Sequence, residues 1–288
     1  MAVILSLPQI RFVVTLCGQS SPLIKEPWPV SDALLLTSVE AGVATLTLNR
    51  PQARNALSKA MMTAVEEGLA RAGADAAVRV VVLAANGPAF CAGHDLKEMR
   101  GIESEDGIAA VFAQCSRLMT AVVRLPKPVI AKVHAMATAA GCQLVASCDL
   151  AYAADTAQFA TPGVNIGLFC STPMVALSRV VSRKRAMEML LTGKPIDAAT
   201  AEDWGLINRA VSAADLDGAV AEAAAQIAAK SPYTLKVGKD AFYNQVEMPL
   251  DDAYSYTSAV MATNMQAADA AEGIDAFLSK RKPVWKGC

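Results

Sequence analysis

Two segments constrain the fold more than any other feature of the chain. In each, a mostly apolar strand, in the first a continuous β-branched run, leads through a turn of small residues into a helix. Arg79-Val-Val-Val-Leu-Ala84 leads to Phe90-Cys-Ala-Gly-His-Asp-Leu-Lys-Glu-Met99, and Val129 to Val133 leads to Ala139-Ala-Gly-Cys-Gln-Leu-Val-Ala-Ser-Cys-Asp149. A short apolar run without polar alternation is a strand buried on both faces, the habit of parallel sheets covered by helices. The N–H groups that open each following helix lack partners inside it, and the helix dipole points at whatever lies above them. Two such turns side by side would aim two amide donors at one developing negative charge.

The rest of the chain follows the same alternation. Val43-Ala-Thr-Leu-Thr-Leu48 alternates like a strand, Asn49-Arg50-Pro51 turns the chain, and residues 58–72 read as a helix with Ser58 near its N-cap. Residues 108–124 form an amphipathic helix stopped by Pro126 and Pro128, residues 140–150 a helix and 150–153 a short strand. From Arg183 onward helices dominate, at 183–191, 197–204, 213–229, 233–245, 250–264 and 271–280. The expected fold is therefore an α/β core over residues 31–210 with a C-terminal helical region over 211–288. Pro22, Pro27 and Pro29 close a flexible N-terminal extension, residues 1–30.

Composition narrows the function. A net charge of -1 leaves no basic footprint for nucleic acid, and 53% hydrophobic residues argue against disorder. The longest uncharged stretch, 156–178, carries two prolines and two glycines and is no membrane span, so no membrane partner is expected. Residues 2–16 are apolar but lack a basic start, and Pro8 and Arg11 interrupt them, so they are not read as a signal peptide. Seven cysteines form an odd set without a Cys-x-x-Cys pair or a matching histidine cluster, which gives neither a fully paired disulfide framework nor a zinc site. Scattered cysteines of this kind fit a reducing cytoplasm. With two histidines against 27 carboxylates, acid–base chemistry would fall most readily to the carboxylates.

Ala92-Gly93-His94-Asp95-Leu96-Lys97-Glu98, Lys127-Pro128-Val129-Ile130-Ala131 and Gly141-Cys142-Gln143-Leu144 together resemble the crotonase (enoyl-CoA hydratase/isomerase) superfamily. The likeness runs on through Ala157-Gln158-Phe159, Leu190-Leu191-Thr192-Gly193, Trp204-Gly205-Leu206-Ile207 and Phe277 to Lys282. The resemblance implies a spiral of ββα turns with C-terminal helices that trimerise, giving a homotrimer or a dimer of trimers. It also implies an acyl-CoA substrate, with CoA entering as part of that substrate and no separate cofactor. Carried over, the oxyanion hole is the backbone N–H of His94 and of Ala140. The imidazole of His94 need not take part, although a histidine here is similar to decarboxylases of the superfamily. Arg54, Ala56, Ala92, Asp95, Leu96 and Lys97 would frame the CoA, Phe169 and Cys170 the acyl pocket, and Lys280 a neighbouring subunit's CoA. Capping and turn formation also account for Asp95 and Asp149.

The departures from the family pattern bear on the reaction. Where hydratases of the family carry two catalytic glutamates, this chain has Gln143 and Gly163. Glutamine can hydrogen-bond a water but cannot take its proton, and glycine does neither. General acid–base help is worth about 10²–10⁴ per group, so ordinary hydration should be severely impaired. Three readings follow: an acyl-CoA enzyme such as a decarboxylase that needs the oxyanion hole but no base; an acyl-CoA-binding regulatory or scaffold protein; or a weak hydratase or isomerase using a carboxylate from the Glu98–Glu105 segment.

Overall fold

The computed structural model describes residues 33–288; the N-terminal extension expected over residues 1–30 lies outside them. The described chain opens on an antiparallel hairpin, β1 (Leu35–Glu40) and β2 (Val43–Leu48). Its two-residue loop places Ala41 at φ 48° and Gly42 at φ 81°, the twist that matches paired strands. On β2 the alternation of the sequence turns Ala44, Leu46 and Leu48 into the core. Helix α1 (Lys59–Ala74) follows, with the Ser58 hydroxyl accepting from the Met61 N–H at 3.2 Å.

Three ββα turns come next. The first is β3 (Val80–Ala85), β4 (Ala89–Cys91), α2 (Leu96–Arg100) and α3 (Glu105–Arg124). The second is β5 (Val129–Val133), β6 (Met136–Thr138) and α4 (Ala140–Ser147). The third is β7 (Leu150–Ala154), β8 (Gln158–Ala160), a 3₁₀ turn (Pro162–Ile166) and α5 (Pro173–Val180). In each turn the first strand joins a large sheet and the second a small one. The chain continues through α6 (Arg183–Thr192), β9 (Ile196–Asp197), α7 (Ala198–Trp204) and β10 (Arg209–Val211). It ends with α8 (Leu216–Ala228), α9 (Pro232–Gln245), α10 (Leu250–Met265) and α11 (Ala268–Leu278).

The large sheet runs β1-β2-β3-β5-β7-β10 and is parallel from β2 onward; the small sheet runs β4-β6-β8-β9, parallel except for β8 with β9. One face of the large sheet and the small sheet enclose the main core, with Leu46, Met61, Leu83, Phe90, Leu118, Leu144 and Phe159 fully buried. The opposite face of β3, β5 and β7 is covered by α8, whose Leu216, Val220 and Ala224 pack on Val80, Val82, Ile130 and Ala154. Helix α3 is long and apolar enough by composition to cross a membrane, yet its stripe of Val111, Cys115, Leu118, Met119 and Val122 is buried in the protein core.

Element bounds depart from the sequence reading where side chains intervene. Helix α4 stops at Ser147 rather than residue 150, because Asp149 turns back to accept the Val129 N–H at 2.7 Å. Helix α3 starts at Glu105, three residues early, because the Ser104 hydroxyl caps the Gly107 N–H at 3.1 Å. Helix α8 starts late, at Leu216, because Ser212 and Asp215 hydrogen-bond each other at 2.6 Å in the preceding turn.

Candidate active site

The C-terminal ends of β4, β6 and β8 lie side by side, since Cys91 pairs with Ala137 and Thr138 with Ala160. The first small-residue turn leaves β4 here. It is held from outside by the segment Arg54 to Leu57: the Ala92 N–H donates to the Arg54 carbonyl (3.0 Å), Leu57 to Gly93 (2.7 Å) and Asp95 to Leu57 (3.4 Å). The fully buried Asn55 anchors that segment. Its Nδ2 donates to the carbonyls of Asn86 (2.8 Å) and Ala89 (2.9 Å), and its Oδ1 accepts the Arg50 N–H at 2.8 Å. Arg54 and Asn55 both take positive φ, 50° and 53°, and asparagine tolerates that region better than most residues.

The second turn leaves β6. Ala139 sits at φ 50°, ψ -118°, a conformation that costs a non-glycine residue about 1–3 kcal/mol. The Ala139 N–H donates to the Ala160 carbonyl at 2.9 Å, and Ala140 then opens α4. The two turns touch. A Cβ built on Gly93 would lie 3.3 Å from the Ala140 nitrogen, and one on Gly141 would lie 2.2 Å from the Cys91 carbonyl oxygen. Only glycines allow this approach. Among the described residues neither the His94 nor the Ala140 amide has an acceptor, so two free donors stand at adjoining turns.

The surroundings of this amide pair are mostly apolar. The His94 ring meets Phe112 of α3 edge to face, 5.2 Å between centroids. Its Nε2 is buried without a hydrogen-bond partner, and burial alone pushes the imidazole pKa below its ordinary value. One helical turn along α3, the Cys115 thiol contacts the Gln143 Oε1 at 4.0 Å. Gln143 itself is buried on α4. Gly163 lies in the 3₁₀ turn after β8, and a Cβ there would fall 2.7 Å from the Leu168 carbonyl oxygen and 3.0 Å from the Cys170 Sγ. The space a second acid would need is filled by the chain itself. Burial raises the thiol pKa of Cys170, and that of Cys142 to about 12, so neither is a ready nucleophile.

The structure divides the residues singled out from sequence. Ala92, His94, Asp95, Ala140 and, through its carbonyl, Arg54 meet at the paired turns. Ala56 is buried beside them. The Asp95 carboxylate is engaged twice: it caps α2 by accepting from Lys97 (3.0 Å) and Glu98 (3.2 Å), and pairs with Arg50 at 2.7 Å. The Arg50 hydrogen bond holds its pKa below the usual carboxylate range. Leu96, Lys97 and Phe169 are exposed at the rim. Lys280, at φ 52° beyond α11, makes no contact with the turns. Glu98 accepts the Lys59 N–H at 2.9 Å and so serves α1. The His134 Nε2 bonds the Gly87 carbonyl at 2.8 Å. Sequence alone gave Asn55 no structural role and missed Phe112 and the Leu168 carbonyl, which no local pattern marks.

A two-sheet ββα spiral whose strand ends present two adjoining free amides defines a crotonase-fold protein. The family described as enoyl-CoA hydratase/isomerase matches residues 38–288, and the chain belongs to it. It is 44% identical to enoyl-CoA hydratase domain-containing protein 3, mitochondrial, of Xenopus laevis, over 94% of this chain and 92% of that one. The crystal structure of the human protein of that name matches with TM-score 0.85 and 45% identity, covering 88% of this chain and 100% of the other. An enoyl-CoA hydratase from Mycobacterium smegmatis matches with TM-score 0.86 and 52% identity, covering 88% and 99%.

Proposed function

We propose that the chain binds acyl-CoA thioesters and stabilises a thioester enolate between the backbone amides of His94 and Ala140. The observation that supports this most is their adjacency at two turns held by Gly93 and Gly141, with neither amide spent inside the protein. Donors fixed before the reaction act on charge as it develops and cost no reorganisation; one such donor is worth about 2.7–4 kcal/mol where it has been removed. The reaction best matched to these residues is one in which the enolate arises without a glutamate base, as when a carboxylated acyl thioester loses CO₂. Gln143 and the occupied space at Gly163 weigh against ordinary hydration.

The second reading, an acyl-CoA-binding protein without turnover, is favoured by the absence of a free carboxylate at either glutamate position. Assembly as a trimer or dimer of trimers belongs to the same proposal. So does the reducing cytoplasm, read from five free, buried cysteines and weighed against by Cys288, which is disulfide-bonded; relatives named as mitochondrial make the compartment a matter for direct localisation.

Calorimetric titration with butyryl-CoA and with the S-butyl thioether of CoA, which lacks the carbonyl, tests the reading. The thioester should bind at least about tenfold more tightly, one amide-to-carbonyl hydrogen bond's worth. Equal affinities would contradict it.

A further inference from the structure

The imidazole of His94 has no task in the function proposed above, which uses only its backbone N–H. Its environment is nonetheless specific. The ring stands against Phe112 on α3. Gln143 reaches the same face of α3 one turn further on, at Cys115. The Nε2 atom is buried and, among the described residues, has no hydrogen-bond partner. A buried polar atom left unpaired costs on the order of 1–3 kcal/mol, and such groups in folded proteins call for an explanation. The ring packs against Phe112 on α3; elsewhere in this core, burial holds the thiol of Cys91 on β4 near 12 and that of Cys115 on α3 near 11. The carboxylate of the adjoining Asp95 is paired with Arg50.

We propose that the His94 side chain is the proton-transfer group of this site, exchanging a proton with the α-carbon of the bound acyl thioester. The proposal rests on the thioester reading: the imidazole belongs to the residue whose own amide would hold the thioester carbonyl, one bond from the α-carbon. Forward, the neutral ring takes the α-proton at Nε2, the C–H electron pair moves onto the thioester oxygen, and the two amides hold the enolate. In reverse, the imidazolium returns the proton to the α-carbon, the electron pair leaves the oxygen, and the ring is neutral again. After loss of CO₂ from a carboxylated thioester no proton has been delivered to the ring, so the neutral imidazole would first take one from solvent and then pass it to the α-carbon, completing the product. Gln143 can hydrogen-bond the acyl group or a water beside it but takes no proton. A single histidine thus does the proton work that neither glutamate position can.

The test is solvent exchange. Butyryl-CoA is incubated with the protein in D₂O, and deuterium at its α-carbon is followed by NMR. The wild type should incorporate deuterium. The substitution His94→Gln keeps the backbone N–H and, measured at saturating butyryl-CoA, should slow incorporation about 100-fold or more. Exchange by the wild type should level off at a pH below the ordinary histidine value, because burial favours the neutral ring. His94→Gln exchanging at the wild-type rate, or a wild type that binds the thioester but incorporates no deuterium, overturns the proposal. Loss of butyryl-CoA binding by the wild type itself would instead overturn the thioester reading, so the two failures are separable.

Discussion

At the scale of single residues, the site is defined by what glycine and alanine allow. Gly163 is filled against, with the Leu168 carbonyl and the Cys170 thiol where a side chain would start. Replacing the family's glutamates is therefore more than a change of two side chains. Gly163→Glu, alone or with Gln143→Glu, should fail to produce crotonyl-CoA hydration and should destabilise the protein by about 1–3 kcal/mol, as overpacking does; a hydration assay and thermal unfolding check both parts. Ala139 carries the opposite defect, a Cβ in a conformation suited to glycine. Ala139→Gly should raise stability by about 1 kcal/mol, some 2–4 °C in Tm, without weakening acyl-CoA binding. Both turns were legible in the sequence because small residues after a β-branched run have few other uses. The obstruction at Gly163 was not, since it depends on how residues 164–170 fold back. Counting carboxylates pointed the chemistry at groups that turn out to cap helices or pair with arginine, as Asp95 and Glu98 do.

At the scale of elements, the first turn is positioned by a segment rather than a residue. Asn55 satisfies two carbonyls and one amide from a fully buried position, and through Arg54 and Leu57 it sets the strand-like pairing that aims the His94 amide. Asn55→Ala should cost about 3 kcal/mol or more in urea unfolding, because several buried groups lose their partners at once. Strands of three residues, such as β4, β6 and β8, give no periodicity to read, whereas β3 announces itself by an unbroken apolar run and β5 by one interrupted only at Lys132. The C-terminal tail supplies a pH test. Glu272 pairs twice with Arg281, at 2.6 and 2.8 Å, and accepts the Val284 N–H, which holds its pKa near 2. Its folded value lies below the unfolded 4.5, so its contribution is complete above that pH and is lost as pH falls toward 2. The protection of the Val284 amide relative to its intrinsic exchange rate should fall across that interval, and Glu272→Gln should remove the pH dependence of that protection.

At the scale of the whole molecule, helix and strand alternation gave an α/β core with a helical tail, the family resemblance gave the ββα spiral, and the packing of the last helices remained hidden in sequence. Helix α9 is tied to the core by Lys239, whose ammonium donates to Asp149 (2.7 Å) and to the carbonyls of Val122 (3.1 Å) and Lys127 (3.0 Å), while the Tyr243 hydroxyl donates to Asp149 at 2.9 Å. These partners lie more than 90 residues apart in part, beyond any local pattern. Removing one member of a largely buried pair strands the other. Lys239→Met should cost about 3 kcal/mol in denaturant unfolding, and adding Asp149→Asn should recover part of the loss. The spiral and this tie bring β4, β6 and β8 to one edge, where two turns present their free amides. The most direct measurement of that claim is the carbonyl stretching frequency of a ¹³C-labelled acyl-CoA thioester bound to the protein. Two amides aimed at the oxygen should polarise the bond and move the band to lower frequency than in water. A bound thioester whose band stays at or above its aqueous position would contradict the account.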